Sequence, residues 1–318
     1  MAVYAGFDFG GTRLKSGLVD ETGKILGKVQ SPTPRAINDL LDLIASRFAD
    51  LRSQSPQPIR GAGFGFPGIY DAETERILRS PHLDGLDGFA IRPALSRITD
   101  VPVAVDNDAN LAALGEWKYG AGHGENGLIL LTIGTGIGGG LILDGRLWRG
   151  RRGYAGEAGH MPVHPDGREC RCGSRGCLET EVSAPALVRH YRERTGSRED
   201  LTAEDIHRLA RAGDEAARAA FAQAARYLGI GLGILINLLN PGKIILGGGV
   251  MTAGEYLIGP AVEEARRRSY PAAFAACTVE KAVLGNDAGL VGAAVLAAEK
   301  AGFNNIDHAG NERTLQDV

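Results

Sequence analysis

Residues 3–20 read VYAGFDFGGTRLKSGLVD, two apolar runs separated by a short glycine-rich joint. The runs at 3–9 and 14–20 are predicted as strands, because apolar residues dominate them and turn residues bound them. A third strand is predicted at 25–31, after the turn Glu21-Thr22-Gly23. Three short strands joined by tight turns are typical of an antiparallel meander.

The joint between the first two strands carries reactive groups. Asp8 contributes a carboxylate at a strand end, Gly10 and Gly11 leave backbone N–H groups unobstructed, and Thr12 adds a hydroxyl. Such a set could hold a phosphate and its magnesium ion. A plain hairpin turn explains the same residues equally well, so the motif decides nothing alone.

After the meander, the sequence predicts strands that alternate with helices. Residues 37–51 carry apolar side chains at helical spacing, with Asn38 as a potential cap, and residues 61–66 resume as a strand. A further strand at 101–105 precedes a helix at 109–119. Strands alternating with helices predict parallel crossover units.

The trio Asp106-Asn107-Asp108 stands between that last strand and its helix. The carboxyl end of a strand is where open α/β sheets bind ligands. Either Asp106 or Asp108 could take the proton of a sugar hydroxyl during phosphoryl transfer. The alternative is that one of these carboxylates only caps the helix.

The second half of the chain repeats the pattern of the first. Strands predicted at 128–133 and 140–143 flank the glycine run at 134–140, so the sequence predicts an α/β protein with two similar halves. The domain change is expected between 117 and 127. Further helices are predicted at 203–212, 214–239, 255–269 and 287–301, with a strand at 244–246 and a polar tail from residue 304.

Composition restricts the class of partner. Lys and Arg total 35 against 38 Asp and Glu among 318 residues, a formal charge of −3 that offers no electrostatic footprint for nucleic acid or an anionic membrane. No signal peptide is recognisable in the first six residues. We therefore expect a cytoplasmic protein with neither nucleic acid nor membrane as a partner.

Two further glycine clusters follow strands. The run at 134–140 contains a G-x-G-x-x-G match, but a strand follows it where a dinucleotide-binding fold would have a helix, so the Rossmann interpretation is rejected. Gly247-Gly248-Gly249 follows the strand at 244–246. Three strand-to-glycine junctions in one chain favour a nucleotide clamp over three coincidental turns.

Three of the four cysteines fall within eight positions, at Cys170, Cys172 and Cys177. Thiolates and an imidazole satisfy tetrahedral zinc, and His160 and His164 both lie upstream, so spacing leaves either as the fourth ligand. A disulfide is the alternative, but it would leave one clustered thiol unpaired. The fourth cysteine, Cys277, is expected to be an inert core thiol.

Together these segments resemble the bacterial ROK family of repressors, open reading frames and sugar kinases, within the actin-like ATPases. The motifs that carry the resemblance occur in the family's order: GFDFGGT at 6–12, GFGFPG at 63–68, VDNDAN at 105–110, the glycine run from 134, AGEAGH at 155–160 and the cysteine cluster ending CLE at 177–179. The resemblance implies two actin-like (ribonuclease H-like) domains around a central cleft. Residues 1–117, completed by a C-terminal helix at 287–302, would form the first, and residues 118–286 the second, with the zinc loop.

The resemblance also implies roles for individual residues. Asp108 would be the general base. The sugar would contact Gly68, His82, Asn107, Asp108, Glu157, His160 and Glu179. Zinc would be held by His160, in preference to His164, with Cys170, Cys172 and Cys177. ATP and magnesium would lie among Asp8, Gly10, Gly11, Thr12, Thr135, Gly136, Gly247 and Gly248.

Two departures from the family pattern affect the function. In the loop at 80–86 many glucose-phosphorylating relatives have Asn and Trp where this chain has His82 and Leu86, which predicts a changed sugar wall. The family's repressors carry an N-terminal helix-turn-helix, whereas here Asp8 begins the phosphate motif almost at the first residue. A repressor is therefore not expected.

The sequence thus predicts an ATP-dependent hexose kinase that transfers the γ-phosphoryl group to a sugar hydroxyl, with the 6-hydroxyl of glucose as the leading acceptor. An N-acetylhexosamine or fructose kinase is the alternative within the class, and a sugar-sensing regulator without catalysis is the alternative outside it. A homodimer or homotetramer is expected. Polyphosphate is the alternative to ATP as phosphoryl donor.

Overall fold

Five strands build the first of two similar sheets. The computed structural model describes residues 1–80, 83 and 85–302. Its first half contains β1 (Val3–Phe9), β2 (Arg13–Asp20), β3 (Ile25–Pro32), α1 (Ile37–Gln54), β4 (Ile59–Phe66), β5 (Ile69–Asp71), β6 (Arg76–Arg79), α2 (Ile91–Thr99), β7 (Val103–Asn107) and α3 (Asp108–Tyr119). The first sheet has the order β3-β2-β1-β4-β7, with β1–β3 antiparallel and β4 and β7 parallel to β1. The expected meander and crossover are both confirmed.

The second sheet has the equivalent order β10-β9-β8-β11-β12, so the prediction of two similar halves is confirmed. The elements of this half are β8 (Leu128–Ile133), β9 (Ile137–Leu143), β10 (Arg146–Leu147), α4 (Leu178–Val182), α5 (Ala184–Thr195), α6 (Ala203–Arg211), α7 (Glu215–Leu239), β11 (Lys243–Gly247), α8 (Gly254–Arg268), α9 (Pro271–Ala275), β12 (Thr278–Lys281) and α10 (Ala288–Lys300). The division at 117 and 118 into two domains stays a prediction.

Two expected boundaries are wrong. Helix α1 begins at Ile37 after Ala36, and Asn38 lies inside its first turn, so Asn38 is not the cap. Strand β7 runs two residues further than expected and includes Asp106 and Asn107. Pairing with β4 extends the strand, because Asp106 and Asn107 face Gly65 and Phe66 in the parallel register.

The glycine run at 134–140 is only partly a turn. Gly134 closes the turn by donating to the carbonyl of Gly136, and β9 already begins at Ile137. A Cβ atom on Gly138 would lie 2.8 Å from the Cβ of Ala109, and one on Gly140 would lie 2.5 Å from that of Ala113. These glycines therefore let α3 pack on the second sheet.

Helix α7 is long and apolar enough, by length and composition, to cross a membrane. Within the fold, 61% of its most apolar window is buried. It packs against α4, α5, α8 and α9, and its buried side chains belong to the core of the second sheet. This is the arrangement of a core helix.

Helix α10 lies directly on the first sheet, on the face that glycines leave open. In β1 and β4 the phenylalanines point to the other face, where Phe7 stacks on Phe64 at 4.6 Å. A Cβ atom on Gly6 would lie 2.3 Å from the carbonyl oxygen of Leu290, and one on Gly63 would lie 1.8 Å from that of Ala293. Alternate glycines therefore bring helix and strand backbones into contact.

The same helix crosses α3 at close range. A Cβ atom on Gly292 would lie 1.7 Å from the carbonyl oxygen of Leu111, and one on Gly115 would lie 2.4 Å from that of Ala288. Because α3 also packs on β8 and β9, the crossing joins the two sheets. Asp108, the first residue of α3, is thereby held between them.

We expect Gly63→Ala to destabilise the protein, because the added methyl group meets backbone that cannot move aside. Overpacking of this kind costs roughly 1–3 kcal/mol of the free energy of unfolding, measurable by urea denaturation. Gly27→Ala in β3 is the matched control, since nothing lies within 4 Å of its added Cβ. Equal stability of the two variants would contradict the close contact.

Candidate active site

Two connected cavities lie between the sheets. The larger, of about 620 Å³, is bounded by the turn between β1 and β2, the start of α3 and the turn between β8 and β9. The smaller, of about 200 Å³, adjoins it, since both are lined by Asp108, Thr132 and Gly248. The larger contains the expected residues Gly11, Thr12, Gly68, Asn107, Asp108, Thr135, Gly136, Glu157, His160, Glu179 and Gly248, and the smaller adds Asp8, Gly10 and Gly247.

One expected site residue cannot be placed: His82 lies outside the described residues. Leu86, expected in the same sugar wall, is fully buried and packs in the core of the first sheet. The expectation that Leu86 walls the sugar is therefore wrong. Its apolar side chain is better accommodated among the other core residues than at a polar cavity.

Asp8 is paired with a cation that the sequence analysis missed. Antiparallel pairing of β1 and β2 sets Lys15 opposite Asp8, and the ammonium lies 3.1 Å from the carboxylate. The ammonium also donates to the backbone carbonyl of Asn286. Burial raises the pKa of Asp8, while Lys15 opposes that shift and Asp287 adds to it. The hairpin register could have revealed Lys15, because cross-strand partners share a face.

The start of α3 is capped by Asn107. Its side-chain oxygen accepts from the backbone N–H groups of Ala109 and Asn110, at 2.8 and 3.2 Å. Its amide nitrogen donates to the carbonyl of Gly68 at 2.8 Å. The alternative that Asp106 or Asp108 supplies the helix cap is therefore wrong, and Asp108 is available for another role.

Asp108 occupies the junction of the two cavities. Its side chain is half-buried and lines both cavities. Burial raises the pKa of Asp108 to about 7, and the carboxylates of Asp8 and Glu157 also raise it, against a hydrogen bond from the backbone of Ala109. A carboxylate of this kind is poised to accept a proton near neutral pH.

Asp106 faces away from the cavities. Its carboxylate is buried, accepts from Asn110 at 2.8 Å, and pairs with Arg149 at 2.6 Å. Both carboxylate oxygens are thus engaged by other side chains of the protein. Of the two carboxylates in the trio, only Asp108 therefore lines the site among the residues that the structure describes.

The two acidic residues near the cysteines face the larger cavity. Glu179, in the first turn of α4, accepts from the backbone N–H of Ile137 at 2.9 Å, which leaves its other oxygen for a ligand. Glu157 lies 3.7 Å from Nε2 of His160. Burial raises the pKa of Glu157, with His160 opposing and Glu179 adding to the shift.

The cysteine cluster has the geometry of a metal site. Ligand atoms of His160, Cys170, Cys172 and Cys177 all lie within 4.8 Å of one another. The Sγ atoms of Cys172 and Cys177 are 3.6 Å apart, and Sγ of Cys170 is 3.5 Å from Nδ1 of His160. Tetrahedral zinc bonded to sulfur and nitrogen requires edges of about 3.5–3.8 Å. The donor set therefore fits zinc.

The two histidines upstream have different surroundings. His160 turns Nδ1 towards the cysteines and Nε2 towards Glu157, so one imidazole can serve both a metal and the cavity. His164 instead contacts Glu181 at 3.3 Å and the hydroxyl of Tyr227 at 3.1 Å. Cys277 lies apart from the cluster, half-buried, and burial raises the pKa of its thiol to about 11.

A third cavity, of about 640 Å³, adjoins the glycine turn. Thr135 lines both this cavity and the larger of the first two. Its other walls come from α5, which supplies Pro185 and Val188, and from the segment that leads into α6, which supplies Leu201. The cavity is also lined by Arg168, Arg189 and Arg192, and by the acidic Glu193 and Asp200.

Two similar α/β halves around a cleft with phosphate-type glycine turns define the actin-like ATPase fold. The chain belongs to the ROK family, whose model matches residues 4–300. A glucokinase of Halalkalibacterium halodurans is 36% identical over 97% of this chain and 98% of the relative. A ROK family glucokinase from Streptomyces griseus, solved with glucose and AMPPNP, is 36% identical, with a TM-score of 0.81 over 94% of this chain and 100% of that one.

A regulator is also similar to the chain. The xylose repressor of Caldicellulosiruptor bescii is 32% identical over 83% of this chain and 69% of its own length. The two glucokinases match this chain over nearly their full length, whereas the repressor matches it over 69% of its own length.

Proposed function

We propose that the protein is an ATP-dependent hexose kinase that phosphorylates a sugar hydroxyl, with the 6-hydroxyl of glucose as the preferred acceptor. The observation that carries this proposal is Asp108, a carboxylate of raised pKa at the junction of a sugar-sized cavity and a cavity lined by glycine turns. The near full-length similarity to glucokinases supports the same activity.

The phosphates of ATP would lie along the three glycine turns. Gly248 has a φ of +89°, and a Cβ atom there would lie 2.3 Å from the carbonyl of Ile133, so only glycine fits this turn. Asp8 would hold magnesium, which neutralises phosphate charge when bound. Lys15 adds a positive charge from the protein itself. The adjoining cavity that Thr135 shares would receive the nucleoside.

The sugar would occupy the larger cavity. Gly68 and Asn107 would contact it from the side of the first sheet, and Glu157, His160 and Glu179 from the side of the second. Asp108 would take the proton of the acceptor hydroxyl as its oxygen bonds to the γ-phosphorus, and ADP would leave with the electrons of the broken bond. Positioning and charge neutralisation supply most of the catalysis.

Zinc would support this sugar site. Helix α4, which carries Glu179, begins directly after Cys177, and Glu157 stands three residues before His160. A metal bound by His160 and Cys177 would hold the carboxylates of Glu157 and Glu179 in place, since metal binding is coupled to local folding. Clustered thiolates also favour a reducing compartment, and we place the protein in the cytoplasm.

We further propose that the protein is a homo-oligomer, a dimer or tetramer. Leu238 at the end of α7 is 74% exposed and Tyr270 before α9 is 71% exposed. Asn237 accepts from the backbone N–H of Tyr270 at 2.7 Å, so the segments that carry these two exposed side chains are adjacent. Light scattering after size-exclusion chromatography measures the assembly directly.

The activity is tested by ADP release in a coupled assay with ATP, magnesium and a panel of hexoses. We expect glucose to give the highest kcat/KM, with mannose, fructose and the N-acetylhexosamines lower. ADP release that no sugar stimulates would overturn the kinase and favour the regulator. Polyphosphate in place of ATP tests the phosphoryl donor.

Asp108→Asn should lower kcat by about 10²–10⁴-fold, the usual contribution of a general base. The fold should survive, because the cap of α3 is Asn107 and the variant keeps the size of the side chain. Asp100→Asn is the control, an exposed position of left-handed backbone that tolerates Asn, and it should keep full turnover. Near-normal kcat in Asp108→Asn would exclude the base.

The same carboxylate should set the pH profile. Because the base acts only when ionised and its pKa is about 7, kcat/KM should rise with pH up to about 7 and level off above it. The residual activity of Asp108→Asn should lack this step. A wild-type profile that is flat between pH 5 and 8 would contradict the assignment.

Cys172→Ser should lose zinc, thermal stability and sugar affinity together, whereas Cys277→Ser should keep all three. Elemental analysis, thermal unfolding and sugar titration measure the three effects. Wild-type protein purified without chelator that contains no near-stoichiometric zinc would contradict the metal site.

A further inference from the structure

We propose that Arg152 and Tyr154 are positioning residues of the sugar site, which act by gripping the buried carboxylate of Asp71 across the cleft. Their segment, residues 149–157, is called here the clasp. The inference rests on the proposed function, because the clasp brings Glu157 to the cavity that would hold the sugar.

The clasp lies between the two sheets and contacts both. At its C-terminal end it rests on the second sheet, where a Cβ atom on Gly156 would lie 2.7 Å from the carbonyl of Gly139. Near its middle it packs on β5, where a Cβ atom on Gly153 would lie 2.5 Å from the carbonyl of Tyr70. Both glycines have positive φ, so the loop has a specific shape at each contact.

Asp71, the last residue of β5, joins the clasp to the first half of the chain. The Asp71 side chain is 0% exposed. Its Oδ1 accepts backbone N–H groups of its own turn, and its Oδ2 accepts from Arg152 at 2.5 Å and from the hydroxyl of Tyr154 at 3.1 Å. Without these two donors one oxygen of a buried charge would lack a partner, which is costly.

A second ion pair ties the start of the clasp to the same side. Arg149 lies 2.6 Å from Asp106, whose carboxylate is buried at the end of β7. Both pairs therefore join an arginine of the clasp to a buried carboxylate beside the first sheet. Between these anchors and β9, the clasp presents Gly153, Ala155 and Glu157 to the larger cavity.

This arrangement links the clasp to sugar affinity specifically. The residues proposed to contact sugar come from both sides of the cleft, so sugar binding depends on the distance between those sides. The residues assigned to the nucleotide phosphates lie on the glycine turns, outside the clasp. If only a fraction of molecules holds the competent arrangement, apparent sugar affinity falls by that fraction.

The test uses Arg152→Met and Tyr154→Phe, singly and together. Both side chains are partly exposed, so these variants should fold. We expect Arg152→Met to raise the KM for glucose by about tenfold and leave the KM for ATP within about twofold. The double variant should show less than the product of the single effects, because both donors serve one oxygen.

Glu73→Gln is the matched control. Glu73 also lies near Arg152, at 3.4 Å, but it is 62% exposed, and the variant leaves the bond to Asp71 intact. Its sugar KM should match the wild type. A comparable rise in Glu73→Gln would overturn the role of Asp71.

Two results for Arg152→Met would overturn the clasp while the kinase stands: an unchanged glucose KM, or equal rises in the KM values for glucose and ATP. If the wild type phosphorylates no sugar, the proposed function fails. The clasp is then tested by calorimetric titration of glucose without nucleotide. Equal glucose affinity in the wild type and Arg152→Met would overturn the clasp there too.

Discussion

The structure depends on the close contact of α10 with the first sheet. Gly6 of β1 and Gly63 of β4 carry no side chain on the face that meets the helix, so at these positions the helix backbone contacts the strands. The helix then crosses α3 through a second glycine contact, at Gly115 and Gly292. Asp8 lies on the same face of β1 as Gly6, and Asp108 begins α3, so this packing brings the two carboxylates to one cavity.

Charge in the cleft is distributed unevenly. Asp8, Asp108, Glu157 and Glu179 all line the two connected cavities, and Lys15 is the cation that contacts one of them most closely. Burial and mutual repulsion raise the pKa of Asp108, because the ionised form is disfavoured among other carboxylates. Carboxylates accept hydrogen bonds from the hydroxyls of a polyol and bind the metal cation that accompanies a nucleotide, so such a surface suits both kinds of ligand. Burial, together with this repulsion, places the pKa of Asp108 at about 7.

Two supports hold the acidic residues of the second sheet. The cysteine cluster lies behind His160 and Cys177, next to Glu157 and Glu179. The clasp, which includes Glu157, is joined to Asp106 through Arg149 and to Asp71 through Arg152, both in the first half. One support acts within a half of the molecule, and the other acts between the halves. The proposed sugar site would therefore combine local rigidity with a set distance across the cleft.

The sequence by itself determined the features that local pattern encodes. Alternating and helical periodicity predicted the meander, the crossovers and the repeated halves, and the spacing of three cysteines predicted a metal cluster. Resemblance then preferred His160 to His164, and His160 is the histidine beside the thiols. Only the tertiary structure decided that Asn107 caps α3, that glycines at 138 and 140 admit a helix, that Leu86 is core, and that Lys15 meets Asp8. It alone joined Asp71 to Arg152, 81 residues away, because such a pair follows from how the two halves of the chain pack and no short-range pattern records it.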